Sequence, residues 1–172
     1  MMENTTLHLH KQNFKFSAAH FLIFDDQHAE KLHGHNYQVA VDLTVPPEAP
    51  VATAKTGSSQ DRGYFVDFNV FKKHIKARLD EWDEHVLLPA QHKDMKIRPI
   101  GPGLDVHFRD RHYVFPASEV VLLAVTNTSV EQLSRILASE FLAAFQKYGV
   151  QRVRVRVEET RGQGASTVCS QK

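Results

Sequence analysis

Between residues 150 and 157 the chain settles into strict alternation. Val153, Val155 and Val157 share one parity, and Arg152, Arg154 and Arg156 share the other. Successive side chains of an extended strand point to opposite faces. The run is therefore a strand with one face buried and one turned to solvent or to an oligomer contact. A buried sheet face needs a second layer to cover it, and two amphipathic helices supply one. Phe68, Phe71, Ile75, Leu79 and Trp82 recur at three- and four-residue steps behind Asp67, a natural N-cap. Lys72, Lys73, Lys76 and Arg78 read as the solvated side of that helix, which ends near Trp82. Leu133, Ile136, Leu137, Phe141 and Ala144 form the second stripe, after Asn127. Thr128-Ser129-Val130-Glu131 fits a capping box at its start, and Gly149 stands where a left-handed C-cap belongs.

Residues 7–20 alternate loosely, with Phe14 and Phe16, as one half-buried strand would. Residues 21–32 form a loop with Asp25, Asp26, His28 and Glu30, and the next strand carries Tyr37, Val39, Val41 and Leu43 on one face. The two strands read as an antiparallel pair. Residues 46–63, rich in Pro, Ala, Ser, Thr and Gly, mark a surface connection, and Tyr64-Phe65-Val66 a short strand. Residues 104–108 and 112–115 flank Arg109-Asp110-Arg111 as a small hairpin, residues 120–125 are a further apolar run, and a short closing strand falls at 167–169. The expectation is one α+β domain over residues 1–172, an antiparallel sheet with two helices on one face.

With 21 Lys and Arg against 20 Asp and Glu, the net charge of +1 provides no field to attract nucleic acid or a membrane. The lone Cys169 rules out an internal disulfide and fits a reducing compartment. The polar N-terminus lacks the apolar core of a signal peptide, and no stretch is long enough to span a bilayer. A cytoplasmic protein is expected.

Eleven histidines are the compositional oddity. His33 and His35, two apart on a strand, aim their imidazoles at one point, with Gly34 leaving room between them, and His20 ends the neighbouring strand. Imidazole suits zinc, and three protein ligands leave a fourth position open, as in catalytic sites. Ordinary strand histidines are the other reading of these residues. Such a centre needs a proton carrier. His85 follows Asp83 and Glu84 at a helix exit, and Glu30 lies three residues before His33. Glu159 has the inward parity of Val157, so it needs a cationic or multi-donor partner, such as the guanidine-like edge of a heterocycle. Glu131 and Asp67 are explained as caps. His8 and His10 repeat the His-x-His pattern near the terminus with no third partner, and are set aside.

Six segments resemble a known family in its order: Phe16-Ser17-Ala18-Ala19-His20, Leu32-His33-Gly34-His35-Asn36-Tyr37, Val66-Asp67-Phe68, Glu84-His85, Thr128-Ser129 with Glu131, and Val157-Glu158-Glu159-Thr160. This is the 6-pyruvoyltetrahydropterin synthase family, which includes the 6-carboxytetrahydropterin synthase of queuosine biosynthesis. The resemblance implies a tunnelling fold (T-fold) whose subunits join sheets into a barrel, commonly a homohexamer of two trimers with sites between subunits. It implies Zn2+ on His20, His33 and His35, and a pterin held by Glu159 with help from the Thr128-Ser129 turn. The implied substrate is 7,8-dihydroneopterin triphosphate.

Two departures narrow the reading. The usual catalytic cysteine before the His-Gly-His is missing, and the chain there reads His28-Ala29-Glu30-Lys31. Glu30 resembles the branch in which glutamate replaces that cysteine and the side chain is cleaved to 6-hydroxymethyl-7,8-dihydropterin for folate synthesis. The usual Asp before the catalytic His is Glu84, unless Asp83 substitutes through a local shift. Residues 89–125 also exceed what compact members carry. The expected protein is a zinc-dependent pterin lyase with Glu30 and His85 as proton carriers. A 6-carboxytetrahydropterin synthase, a non-catalytic pterin-binding member and an unrelated zinc hydrolase are the alternatives.

Overall fold

The computed structural model describes residues 4–46 and 67–171. The expected connection at 46–63 (beyond Pro46) and the strand at 64–66 lie outside those residues. The central element is β3 (His33–Val45), thirteen residues long. Its first part pairs antiparallel with β2 (Lys15–His20), from Lys15 opposite Gln38 to His20 opposite His33. Its last part pairs with β1 (Thr5–Leu9), from Leu9 opposite Val41 to Thr5 opposite Val45. Residues 7–20 are thus two strands, not one. Between Leu9 and Lys15 the chain advances six residues while β3 advances three. The amide of Val39 donates to Phe14 O at 2.7 Å across that break.

On the other edge of β3 lies β9 (Arg152–Thr160), followed by β10 (Gln163–Ser170), which is longer than the expected closing strand. Beyond β2 come β4 (His85–Pro89) and β8 (Val120–Leu123), both joined in parallel. The seven-stranded sheet is therefore mixed rather than wholly antiparallel. The hairpin of β6 (Gly103–Phe108) and β7 (Arg111–Pro116) gains a third strand, β5 (Met95–Ile100), and makes a separate sheet.

Helices α1 (Phe68–Asp80) and α2 (Val130–Phe145) cover one face of the large sheet. Phe71, Ile75, Leu79, Leu133, Leu137 and Phe141 share a core with Tyr37, Val39, Val41, Val153, Val155 and Val157. Each such buried side chain contributes roughly 1.5–3 kcal/mol from leaving water. Asp67 caps α1 as expected, accepting from the Asn69 amide at 2.8 Å, and Gly149 has φ 83°. Phe68, in the first turn, departs from its stripe and is exposed. The helix stops at Asp80, and Trp82 is buried in the following turn against Phe16. Arg78 is not simply solvated: it lies 4.6 Å over the Trp82 ring and pairs with Glu140 of α2 at 2.7 Å.

Candidate metal centre

The register of β2 with β3 assembles the three histidines. His20 and His33 are direct cross-strand partners, His35 faces Ala18, and all three share the helix-side face with Tyr37. A Cβ at Gly34 would meet only Ala18 O at 3.6 Å, so it is strand pairing, and not room at Gly34, that lets the rings converge.

Three groups among the described residues bring ligating atoms within 4.8 Å of one another: His20, His33 and His35; His8, His10 and Asp42; Asp105, His107 and His112. Their hydrogen bonds separate them. His8 Nδ1 and His10 Nε2 both meet Asp42 Oδ1, at 2.6 and 2.7 Å. The third partner missing from the sequence reading was cross-strand Asp42. His112 and His107 meet the two oxygens of Asp105 at 2.5 and 3.3 Å. Each imidazole of these groups has a carboxylate for a partner and needs no cation.

The first group has no such closure. His20 Nδ1 donates to Thr128 O at 3.0 Å, so its proton sits there and the Nε2 lone pair points inward. That Nε2 is buried and has no hydrogen-bond partner among the described residues. His33 is oriented alike, its Nδ1 donating to Lys31 O at 2.8 Å, and its Nε2 lies 2.9 Å from His35 Nε2. Burial, above all, pushes His20 from its ordinary 6.5 down to about 4; the neighbouring rings add to that, and the Thr128 bond opposes it. The ring is neutral near pH 7, as a ligand must be. Two imidazoles locked by carbonyls with lone pairs converging, one of them orphaned, fit a borderline divalent cation such as zinc.

The carboxylates stand around this cluster. Glu30 Oε2 lies 3.8 Å from His33 Nε2 and accepts from the Leu22 amide at 3.1 Å. Glu159 Oε2 lies 3.9 Å from His35 Nε2, and Gln163 Nε2 donates to its other oxygen at 2.6 Å. Its inward parity is reinforced by a bulge: Glu158 pairs with Gly164 and Thr160 with Gln163, leaving Glu159 the extra residue. A Cβ at Gly164 would come within 2.3 Å of Val157 O, so glycine is required where the strands close up. Glu158 turns away to Arg156 and the Gly162 amide.

His85 is not in the ligand cluster. It lines, with His35, Ser17, Asn36 and Glu84, a shallow cleft of about 360 Å3 on the sheet. The ring is oriented by the backbone carbonyl of Asp83 at 2.5 Å, not by a carboxylate. The Asp83 carboxylate instead accepts from the Ser17 amide at 2.6 Å, and Glu84 N–H donates to Ser17 O at 2.7 Å. Glu84 has φ 58°, a strained conformation for a non-glycine residue.

The expected capping box is absent. Ser129 is the N-cap without a side-chain cap bond, and the Thr128 hydroxyl donates to Phe21 O at 3.1 Å. Thr128 is fully buried, its two oxygens holding His20 and Phe21. The Ser129 hydroxyl meets Glu131 and is the main cause holding that carboxyl below its ordinary value.

Two further residues belong to the surroundings of the cluster and were not among the expected site residues. Tyr37 packs edge-on against both His20 and His35, and its buried hydroxyl has no partner among the described residues. Burial raises its pKa, and the Glu159 and Glu30 charges add to that. Its position two residues past His35, on the same face, was the available signal. Asn127 ties Ile23 N and O to the Thr128 amide, and carried no signal in the sequence.

Residues 9–168 match the family described as 6-pyruvoyl tetrahydropterin synthase. A Methanocaldococcus jannaschii protein bearing the name 6-carboxy-5,6,7,8-tetrahydropterin synthase is 28% identical over 168 residues, covering 96% of this chain and 94% of its own. The crystal structure of 6-pyruvoyl tetrahydropterin synthase from Plasmodium vivax superposes with a TM-score of 0.83 at 23% identity, covering 99% of this chain and 100% of that one. A variant of the same Plasmodium vivax enzyme, in which a catalytic glutamate is replaced by alanine, superposes equally, with a TM-score of 0.83 at 22% identity over 99% and 100% of the chains. The curled mixed sheet with two helices is the T-fold of those structures.

Proposed function

The chain belongs to the 6-pyruvoyl tetrahydropterin synthase family of pterin-metabolism lyases, and from that premise we propose that it is a zinc-dependent lyase acting on 7,8-dihydroneopterin triphosphate. The reaction favoured is carbon–carbon cleavage of the side chain to 6-hydroxymethyl-7,8-dihydropterin, as in folate synthesis. The observation that carries it is the Glu30 carboxylate, 3.8 Å from His33 and anchored by the Leu22 amide, in a chain whose one thiol, Cys169, sits in β10 opposite Val153. A glutamate is also the catalytic residue of the Plasmodium vivax enzyme.

His20, His33 and His35 would hold the zinc ion, which supplies a Lewis acid for the side-chain oxygens of the substrate. Glu30 takes the hydroxyl proton from the carbon beyond the bond that breaks. The carbon whose hydroxyl loses this proton leaves as the aldehyde of a two-carbon triphosphate fragment. The bonding electrons pass toward the pterin ring, and a proton returned to the ring-side carbon completes the hydroxymethyl product. His85, held by the Asp83 carbonyl, is the second proton carrier, with Glu84 or Asp83 in support. Glu159 accepts from the 2-amino-4-oxo edge of the pterin, beside the Thr128-Ser129 turn. The working form is a cytoplasmic homohexamer with sites between subunits, in keeping with the lone cysteine and the family.

A second reading is 6-carboxytetrahydropterin synthase of queuosine biosynthesis, favoured by the name of the Methanocaldococcus relative. Incubating the zinc-loaded protein with 7,8-dihydroneopterin triphosphate and identifying the pterin by mass spectrometry separates them. 6-Hydroxymethyl-7,8-dihydropterin is the expected product. Finding 6-carboxytetrahydropterin alone establishes the second reading, and binding without turnover establishes a non-catalytic member.

A further inference from the structure

Arg111, the first residue of β7, donates through both terminal nitrogens to consecutive carbonyls of the 21–32 loop: Nη1 to Glu30 O, and Nη2 to Ala29 O at 3.0 Å. Its guanidinium lies 5.8 Å from the ring centroids of both Phe21 and Phe108. At the hairpin turn, Arg109 Nη2 donates to Asp25 O at 2.6 Å and its Nε to Asp94 Oδ2 at 3.0 Å. Arg109 has φ 57°, a strained value that persists where surrounding contacts over-determine it. Beneath these bonds Met95, Val106 and Phe108 of the small sheet form one apolar cluster with Phe21 and Ile23 of the loop. The three-stranded sheet is docked on the segment that joins His20 to His33.

Glu30 is held at three atoms. Its amide donates to Leu22 O at 2.9 Å, its Oε2 accepts from Leu22 N at 3.1 Å, and its carbonyl accepts from Arg111. The first two bonds are internal to the loop, so they move with it. The third fastens it to a separate sheet. A planar guanidinium presents two donors in a fixed fork and thereby sets the direction of both carbonyls, which an ammonium cannot do.

We propose that Arg111 is a positioning residue: its fork on Ala29 and Glu30 fixes the distance between the Glu30 carboxylate and the histidine cluster. The catalytic part of this inference rests on the reading of Glu30 as the proton carrier. The clamp itself does not. Displacing a reacting group by about 1 Å can cost on the order of 100-fold in rate, so the clamp acts on turnover, while the pairing of β2 with β3 holds the backbone of the three histidines.

The test uses the zinc-loaded protein with R111A, R111K, E30Q and R111A/E30Q. R111K keeps an alkyl stem near Phe21 and Phe108 and serves if R111A does not fold. Amide hydrogen exchange over residues 21–32 should quicken about tenfold or more in the Arg111 variants, with β3 and β9 unchanged; an unaltered loop overturns the clamp. Turnover should fall roughly ten- to a hundredfold at unchanged KM and zinc content, and the double variant should be no slower than E30Q alone. Losses that multiply in the double variant mean that Arg111 acts elsewhere, and overturn the positioning role. Full turnover in E30Q beside a loosened loop rejects the reading of Glu30, and with it the catalytic half, while the clamp stands.

Discussion

His20 donates its Nδ1 proton to the carbonyl of Thr128, 3.0 Å away, and so turns a buried lone pair toward His33 and His35. A strand end and a helix start, 108 residues apart in sequence, together fix the tautomer that a metal requires.

Replacing His20 by alanine should therefore abolish stoichiometric zinc, read by elemental analysis of the purified protein. In the wild type, chelation should lower the melting temperature by several degrees, because a ligand at a thousandfold excess over its Kd stabilises by about 4 kcal/mol. E30Q should retain the metal while losing about 10²- to 10⁴-fold in turnover. A zinc-free wild type after full supplementation contradicts the centre.

Glu159 is aimed inward by its bulge and is 12% exposed at the side chain. E159A should weaken binding of a pterin lacking the side chain by ten- to a hundredfold or more, since each hydrogen bond to a charged group contributes about 1.5–3 kcal/mol. Calorimetric titration measures this, and equal affinity in the variant excludes Glu159 as the anchor of the heterocycle.

At Glu84 two roles come apart. Its φ of 58° suits glycine better, so E84G should be as stable as the wild type or up to about 1 kcal/mol more so by denaturant titration. If its carboxylate serves His85, turnover falls in the same variant. Undiminished turnover in E84G assigns the support of His85 to Asp83, whose carbonyl already orients the ring.

Asp25 predicts a pH dependence. Hydrogen bonds from the Gln27 amide, then from the His28 side chain and amide, hold its carboxyl down from 3.8 to about 2. A carboxyl lowered in the folded state stabilises fully above its unfolded value, and that contribution fades as pH falls from 3.8 toward 2. D25N should thus be the less stable protein at pH 6, with the gap to wild type closing over that acid range. A gap that stays constant down to pH 2 contradicts the assignment.

Periodicity made the strands around β3 and both helices legible, because burial imposes a period of two on residues 152–157 and steps of three and four on α2, whereas β4 and the parallel pairing beyond β2 carried no such signal. The trio His20, His33 and His35 was equally visible, since strand parity and adjacency suffice to bring it together. What stayed hidden depends on contacts between distant segments. The break before Lys15 is a matter of register with β3. The Thr128 hydroxyl follows Phe21 rather than its own helix, because a buried donor takes whatever acceptor the fold brings near. Likewise no local pattern pairs His8 and His10 with Asp42, or Arg111 with Glu30.

His20 and His33 sit opposite each other at the ends of paired strands, so everything between them leaves and re-enters the sheet at a single neck. Residues 21–32 are in that sense a cassette: its middle, residues 22–30, makes none of the carbonyl hydrogen bonds that orient His20 and His33, which come from Thr128 and Lys31. A scaffold built this way can acquire a new reaction by exchanging that segment together with the arginine fork it docks on, and a graft between relatives should carry the chemistry along only as that pair.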